Sequence, residues 1–265
     1  MFGIISYERL PDEYVTSYAY WDTYMATVWA ALLSGYGFDP NMTVIEIAPG
    51  TSTKVGLALQ KCKFQGKLYI VEPSEKSLST VSSLYKSLLP NAEIYPIQRH
   101  LLDSLDSLPR NPDVVLSNHP LDDMLIANRW DKPNDACLFN WALSPSEEIS
   151  SVFLQQWTGW MSDLNQLHSA KTHVIQQWNT LYYKVNPAVT ILSQYPSITL
   201  QKNQLNDINL HASDILSHLK NSDPCIDVIA QCLQVQAILN QLENYNDVHI
   251  GTEVLNAKNW LVRLR

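Results

Sequence analysis

Short hydrophobic runs alternate with segments of helical spacing through the first half of the chain. Four of these runs have the length of strands, at residues 42–48, 67–73, 93–98 and 112–120. Runs that are apolar at nearly every position are typical of strands buried on both faces of a parallel sheet. Segments 53–62 and 74–89 carry apolar residues at helical spacing, which predicts helices. The alternation predicts a parallel α/β sheet with right-handed crossovers.

An aromatic helix is predicted before the first strand. Segment 14–33 has the length of a helix and is rich in Tyr and Trp. One interpretation is a helix that packs its apolar face onto the core. The other is a lid over a bound ligand, with these aromatic side chains reaching the substrate: Tyr18, Tyr20, Trp21 and Tyr24.

The second half of the chain has weaker periodicity. Residues 121–184 predict mainly helix, whereas segments 173–179 and 188–196 fit either a strand or the end of a helix. The C-terminal segment 246–265 alternates apolar and polar residues well enough to predict a terminal antiparallel strand pair. We therefore expect a doubly wound, mostly parallel sheet with a helical insertion after its fourth strand.

Composition indicates the class of protein and its partners. The chain has 265 residues, of which 46% are hydrophobic and 17% charged, as in a globular protein with a full core. Because the net charge is −8 and the 18 Lys and Arg residues are spread along the chain, we expect no nucleic-acid partner. Because the apolar runs are short, we expect no signal peptide and no membrane span. The four cysteines are widely spaced, as expected for free thiols in a reducing compartment, so we expect a cytoplasmic location.

Acidic residues and a tight turn follow the first two strands. Glu46 lies inside the first strand, and the turn at residues 48–52 leads into the next helix. Glu72 ends the second strand, where a carboxylate can accept hydrogen bonds from both hydroxyls of a ribose. Ligands of doubly wound sheets bind across the carboxyl ends of the strands, so this order predicts a Rossmann-like sheet and a nucleotide-type ligand. The turn has one glycine where such loops have two or three.

These motifs resemble those of the class I S-adenosylmethionine-dependent methyltransferases. The first motif of that family often reads E-x-G-P-G-T-G, and residues 46–52 follow it with Ala48 and Ser52 in place of glycines. Its second motif, an acid that ends strand two, matches Glu72, and its fourth matches residues 116–120. The resemblance covers residues 40–125 and implies that S-adenosylmethionine is held by Glu46, Ala48, Pro49, Gly50, Thr51, Ser52, Glu72, Pro73 and Asn118.

The sequence departs from the family at the third and fourth motifs. The third usually supplies an acid to the adenine amine, and the resemblance carries this role to His100, Leu101 or Asp103. The fourth reads N-H-P-L where amine- and amide-methylating members have N-P-P-(Y/F). It lacks the aromatic residue that stacks on a planar substrate, which disfavours a nucleobase or an amide side chain as acceptor.

Residues 118–123 are the candidate site of the methyl-transfer reaction. His119 is the predicted general base because its imidazole titrates near neutral pH. Asp122 and Asp123 could hold an ammonium group of the acceptor; alternatively, Asp122 caps the next helix and Asp123 stabilises its dipole. No metal is expected, because no H-x-x-x-H or H-E-x-x-H spacing occurs.

We expect one domain over residues 1–265, with a helical lid (1–40), a cofactor-binding half (41–125) and a helical cover with C-terminal strands (126–265). The expected function is methyl transfer from S-adenosylmethionine to a small-molecule or peptidyl acceptor. The alternative is a methyltransferase fold without catalysis that acts as a binding or structural subunit. The oligomeric state is open, with a homodimer as one option. The sequence lacks the G-x-G-x-x-G, G-x-x-x-x-G-K-(S/T) and G-x-S-x-G motifs of dehydrogenases, NTPases and hydrolases.

Overall fold

A computed structural model describes residues 18–130, 151–195, 206–222, 226–227 and 257–265. Its strands are β1 (Thr43–Ile47), β2 (Lys67–Val71), β3 (Glu93–Ile97), β4 (Val114–Asn118), β5 (Val189–Ser193), β6 (Ile226–Asp227) and β7 (Trp260–Leu264). Its helices are α1 (Tyr18–Gly35), α2 (Lys54–Lys61), α3 (Glu75–Leu88), α4 (Leu101–Ser104), α5 (Leu121–Trp130), α6 (Ser151–Ser162), α7 (Leu164–Val185) and α8 (Asn206–Ser222). Short 3₁₀ turns occupy Leu105–Ser107 and Ala257–Asn259.

The strands form one sheet in the order β3-β2-β1-β4-β5-β7-β6. Neighbours from β3 to β5 are parallel, and β7 is antiparallel to both β5 and β6. The chain builds outward from β1 to β3, then returns to the other side of β1 with β4. Strand order therefore reverses between β1 and β4, and this switch point is where doubly wound sheets bind ligands.

Hydrophobic residues cover both faces of the sheet because successive strand residues point to opposite sides. In β1, Ile45 and Ile47 pack into a cluster with residues of α4 to α8. Val44, one position along, packs into the opposite cluster, with residues of α1, α2 and α3. The two buried layers confirm the doubly wound α/β class.

The first four predicted strands and the two helices between them are confirmed to within two residues at each end. The segments that fit either state are now distinguished: 173–179 lies inside α7, and 188–196 contains β5. The C-terminal antiparallel strand is also confirmed, and β7 pairs with β5 and β6. Residues 246–256, which include the expected partner of β7, lie outside the described residues.

Helix α1 is confirmed from Tyr18 onward, and its C-terminal part packs into the core. Met25, Trp29 and Leu32 are fully buried in the cluster with α2 and α3. The aromatic side chains assigned to the substrate (Tyr18, Tyr20, Trp21 and Tyr24) lie outside the described side chains. Their ligand role stays a prediction.

The contact between α2 and α3 depends on Gly56. A Cβ atom on Gly56 would lie 2.3 Å from Cε1 of Tyr85, whose ring is fully buried. We expect Gly56→Ala to lower the free energy of unfolding by about 1 to 3 kcal/mol, because the ring must move within a packed core. Urea denaturation measures the change.

Gly159 in α6 is the matched control, since a Cβ atom there meets nothing within 4 Å. We expect Gly159→Ala to raise the free energy of unfolding by about 0.5 to 1 kcal/mol through helix propensity. Equal effects of the two substitutions would contradict the proposed contact.

Candidate functional site

A cleft lies at the carboxyl ends of β1, β2 and β3. Its volume is about 660 Å³, counting the part open to solvent. Its walls are Ile47, Ala48, Val71, Glu72, Pro73, Arg99, His100, Leu101, Asp123, Met124, Ala127, Asn128 and Gln177. Apolar side chains and a few convergent polar groups are typical of a small-molecule site.

The turn after β1 bends through two residues in the left-handed backbone region. Ala48 has φ 51°, and its N–H donates to the Val71 carbonyl of β2 over 2.8 Å. Gly50 has φ 58°, a conformation that costs glycine nothing. Ala48 adopts the same left-handed backbone conformation despite its Cβ atom, at a cost of about 1 to 2 kcal/mol. The turn therefore keeps a backbone shape suited to glycine with alanine at its first position.

Glu72 connects this turn to helix α3. Its Oε2 accepts from the Gly50 N–H over 3.1 Å, and its Oε1 accepts from the Ser74 N–H over 3.0 Å. Ser74 in turn caps α3 through its hydroxyl. These two bonds occupy one acceptor position on each oxygen, and the same carboxyl group borders the cleft.

Glu46 lies beneath the turn and is buried. The Tyr85 hydroxyl lies 3.2 Å from Glu46 Oε1 and 3.3 Å from the Ser52 carbonyl, so it links the strand to the turn. Burial raises the pKa of Glu46 to about 8; the Tyr85 hydrogen bond opposes this effect and the nearby Glu72 charge adds to it. At neutral pH the Glu46 carboxyl is mostly protonated.

His119 follows β4 with φ 59°, also in the left-handed region. Its ring is buried; Nε2 donates to the Tyr195 carbonyl, and Nδ1 lies 3.2 Å from Asp122 Oδ1. Asp122 Oδ1 also accepts from Gln194 Nε2 over 3.3 Å. Both ring nitrogens of His119 face protein oxygens, and among the described residues its side chain is not part of the cleft wall.

Asn118 joins four elements through its side-chain amide. Its Oδ1 accepts from Trp29 Nε1 over 3.1 Å and from Ser193 Oγ over 3.2 Å. Its Nδ2 donates to the Tyr195 hydroxyl over 3.4 Å, and Lys54 Nζ donates to the same hydroxyl over 3.4 Å. This buried polar network connects α1, α2, β4 and β5, and its side chains are not among those that line the cleft.

Sequence reasoning missed Lys54, Tyr195 and Gln177. Tyr195 comes two residues after β5, so the rule that identified Glu72 after β2 could have found it had β5 been recognised as a strand. Lys54 is the first residue of α2, and it lies just beyond the motif at residues 46–52 that the resemblance covers. Gln177 lies inside a long helix with no local signal, and only the packing of α7 brings it to the cleft.

The structure separates the three adenine candidates. His100 and Leu101 line the cleft, as does Pro73. Asp103 is exposed and is not part of the cleft wall among the described residues. Asp123, by contrast, does line the cleft. The cleft thus receives polar groups from β2, from the segment after β3, and from α5 and α7.

Asp123 and Asp122 differ in their surroundings although they are adjacent. Asp123 Oδ1 is buried and has no hydrogen-bond partner among the described residues. Burial, and next the charge of Asp122, raise the pKa of Asp123 well above its usual range. The described residues contain no group of three or more His, Cys, Asp or Glu side chains arranged to hold a metal ion. In the same part of the chain, no helix combines the length and apolarity that crossing a bilayer requires.

Comparison with known proteins finds likeness only among solved structures. No protein-family model matches the chain, and no curated protein sequence matches it. The plantazolicin methyltransferase BpumL, solved with SAH and a desmethylPZN analog, is 9% identical with a TM-score of 0.47, covering 92% of this chain and 85% of that one. The bifunctional kinase-methyltransferase WbdD is 10% identical with a TM-score of 0.46, covering 86% and 41%.

The methyltransferase domain of a bacterial Hen1 is 14% identical with a TM-score of 0.37, covering 69% of this chain and 70% of that one. All three likenesses are distant in sequence and have TM-scores below 0.5. What this chain binds therefore has to be inferred from its own residues.

Ala48→Gly tests the left-handed position in the turn. We expect the free energy of unfolding to rise by up to about 1 kcal/mol. Glycine removes the steric strain of the Cβ atom at positive φ, and this gain exceeds the conformational entropy that glycine adds to the unfolded chain. Ala170→Gly in α7 is the control and should lower it by about 1 to 2 kcal/mol, through lower helix propensity and the loss of a buried methyl group. Thermal or urea unfolding measures both, and a loss of stability in Ala48→Gly would contradict the assigned backbone conformation.

Glu46→Gln tests the buried carboxyl. The pKa of Glu46 is higher in the folded state, so the folded state binds more protons between about pH 4.5 and pH 8 and loses stability as pH rises through that range. Glutamine does not titrate, so this loss is absent from the variant. From pH 5.5 to pH 8.5 we therefore expect the free energy of unfolding of Glu46→Gln to rise, relative to that of the natural protein, by on the order of 2 to 4 kcal/mol. Urea unfolding of both proteins at the two pH values measures this difference. The same change in free energy of unfolding with pH in both proteins would contradict it.

Proposed function

We propose that this protein binds S-adenosylmethionine in the cleft and transfers its methyl group to a small-molecule or peptidyl acceptor. One observation carries the proposal: Glu72 and the left-handed turn at residues 48–50 are joined by a hydrogen bond and border the same cleft at the carboxyl edge of the sheet. The first two of the family motifs that the sequence resembles are therefore joined at one cleft.

The residues of the cleft suit the parts of this cofactor. Glu72 offers carboxylate lone pairs to ribose hydroxyls at the end of β2, and the Ala48 side chain is small enough for a ligand to approach the turn. The Val71, Leu101 and Met124 side chains supply apolar surface for a planar base.

When bound, the cofactor supplies an electrophilic methyl group, and the transfer is an in-line displacement. The protein's contribution is to hold donor and acceptor in line and to exclude water. We assign a positioning role to His119, which directly follows β4, because its ring contacts the Tyr195 carbonyl and the Asp122 carboxylate. This contact holds Asn118 and Tyr195 close together at the switch point. The net charge of −8 favours a cationic or neutral acceptor over a polyanion.

A second function has one observation in its favour. Both oxygens of Glu72 already accept backbone N–H groups, which is also what a purely structural carboxylate would do. The chain would then be a methyltransferase fold that binds a protein partner without catalysis. Light scattering together with cofactor titration separates the two functions, since a structural subunit would associate with its partner and ignore the cofactor.

Isothermal titration with S-adenosylhomocysteine is the direct test of the proposal. We expect saturable heat with the natural protein. Glu72→Ala should weaken binding by about 30-fold or more, because it removes charge-assisted hydrogen bonds to the ribose and releases the turn. Glu75→Ala, an exposed acid in the first turn of α3, is the control and should leave affinity unchanged. No heat from the natural protein at high micromolar concentration would refute cofactor binding.

A further inference from the structure

Helix α1 makes two polar contacts with residues that belong to, or directly follow, the candidate motifs. Trp29 Nε1 donates to Asn118 Oδ1 over 3.1 Å, and Asp22 Oδ2 accepts from the Thr53 hydroxyl over 2.5 Å. Asp22 and Trp29 are seven positions apart, which is about two turns, so both side chains lie near one face of the helix. That face reaches the end of β4 through Trp29 and the residue after the turn at residues 48–52 through Asp22.

Thr53 occupies the position from which a threonine usually caps a helix. It directly precedes α2, but its side chain makes no capping hydrogen bond to that helix. Residues that cap a helix with their side chain ordinarily have an extended backbone, whereas Thr53 has φ −100° and ψ −5°. Its hydroxyl donates to the half-buried Asp22 instead. The chain thus gives up a local capping bond for a tertiary contact with α1, and this contact fixes the backbone that leads out of the turn.

The contact with Asp22 adds a third support to the turn. Glu72 accepts from an N–H at the centre of the turn, and the Tyr85 hydroxyl contacts the Ser52 carbonyl. These two supports come from the end of β2 and from α3, whereas the bond from Thr53 joins the segment to α1. Without that bond, Thr53 can adopt the extended backbone of a helix cap. The change in its ψ angle would shift the turn relative to α2.

We propose that Asp22 is a positioning residue for cofactor binding: through Thr53 it holds the turn in the shape that receives S-adenosylmethionine. Helix α1 then contributes to affinity by fixing the turn and not by touching the reacting atoms. The inference rests on the proposed function, since it takes the ligand of the turn to be the cofactor named there. The alternative is a purely structural contact, which would change the free energy of unfolding and leave the affinity of the folded protein unchanged.

The test is a double-mutant cycle of the natural protein, Asp22→Ala, Thr53→Val and the variant that combines both changes. Isothermal titration measures the affinity for S-adenosylhomocysteine, and urea unfolding measures stability. We expect each single variant to bind about 5- to 10-fold more weakly. The combined variant should bind no more weakly than Asp22→Ala, because both changes remove the same contact. Asp22→Asn and Thr53→Ser keep the acceptor oxygen and the hydroxyl, so both should bind within about 3-fold of the natural protein.

Thr80→Val is the matched control, because the exposed Thr80 hydroxyl donates to the Lys76 carbonyl of its own helix, and we expect unchanged affinity. Coupled losses at Asp22 and Thr53 that the two conservative variants restore support the inference. Unchanged affinity in Asp22→Ala and Thr53→Val overturns it, even if both are less stable. Losses that multiply in the combined variant, or that persist in Asp22→Asn and Thr53→Ser, also overturn it. In these cases the natural protein still binds and the proposed function stands, whereas no binding by the natural protein refutes both.

Discussion

The two hydrogen bonds that Glu72 accepts hold the candidate site together. One comes from the Gly50 N–H in the turn after β1, and the other comes from the Ser74 N–H at the start of α3. Parallel strands place their carboxyl ends side by side, but the loops that follow diverge unless something joins them. The Glu72 carboxylate joins two of these loops and also lines the cleft. The shape of the cleft at β1 and β2 follows from this contact.

Backbone strain marks the same edge of the sheet. Ala48 after β1 and His119 after β4 both adopt positive φ without being glycine. In each case the N–H of the residue bonds to the neighbouring strand, Ala48 to β2 and His119 to β5. These bonds turn the chain sharply at the switch point. Strained residues of this kind persist where the surroundings over-determine them, and they concentrate at functional sites.

Buried polar groups lie around the switch point and have different tasks. Glu46, linked to Tyr85, supports the turn from beneath as a mostly neutral acid. Asn118 accepts hydrogen bonds from α1 and β5 and donates one to the Tyr195 hydroxyl, and so fixes the end of β4. Of the acids in this region, Glu72 and Asp123 line the cleft. Glu46 is thus buried beneath the turn, whereas the carboxylates of Glu72 and Asp123 border the cleft.

The sequence by itself determined the first four strands and the edge of the sheet where the candidate site lies. Apolar runs define β1 to β4 because strands buried on both faces need them, and an acid or turn directly after a strand lies at the carboxyl edge in any parallel sheet. This local rule identified Glu72 and the turn at residues 48–52, whereas the family resemblance identified Asn118. Tertiary structure decided the rest. Whether Asp122 or Asp123 faces the cleft, and whether Asp103 reaches it, depends on how α4 and α5 pack, because adjacent helix residues point about 100° apart. Gln177 reaches the cleft and Tyr195 reaches Asn118 from elements distant in sequence, and only folding brings them there.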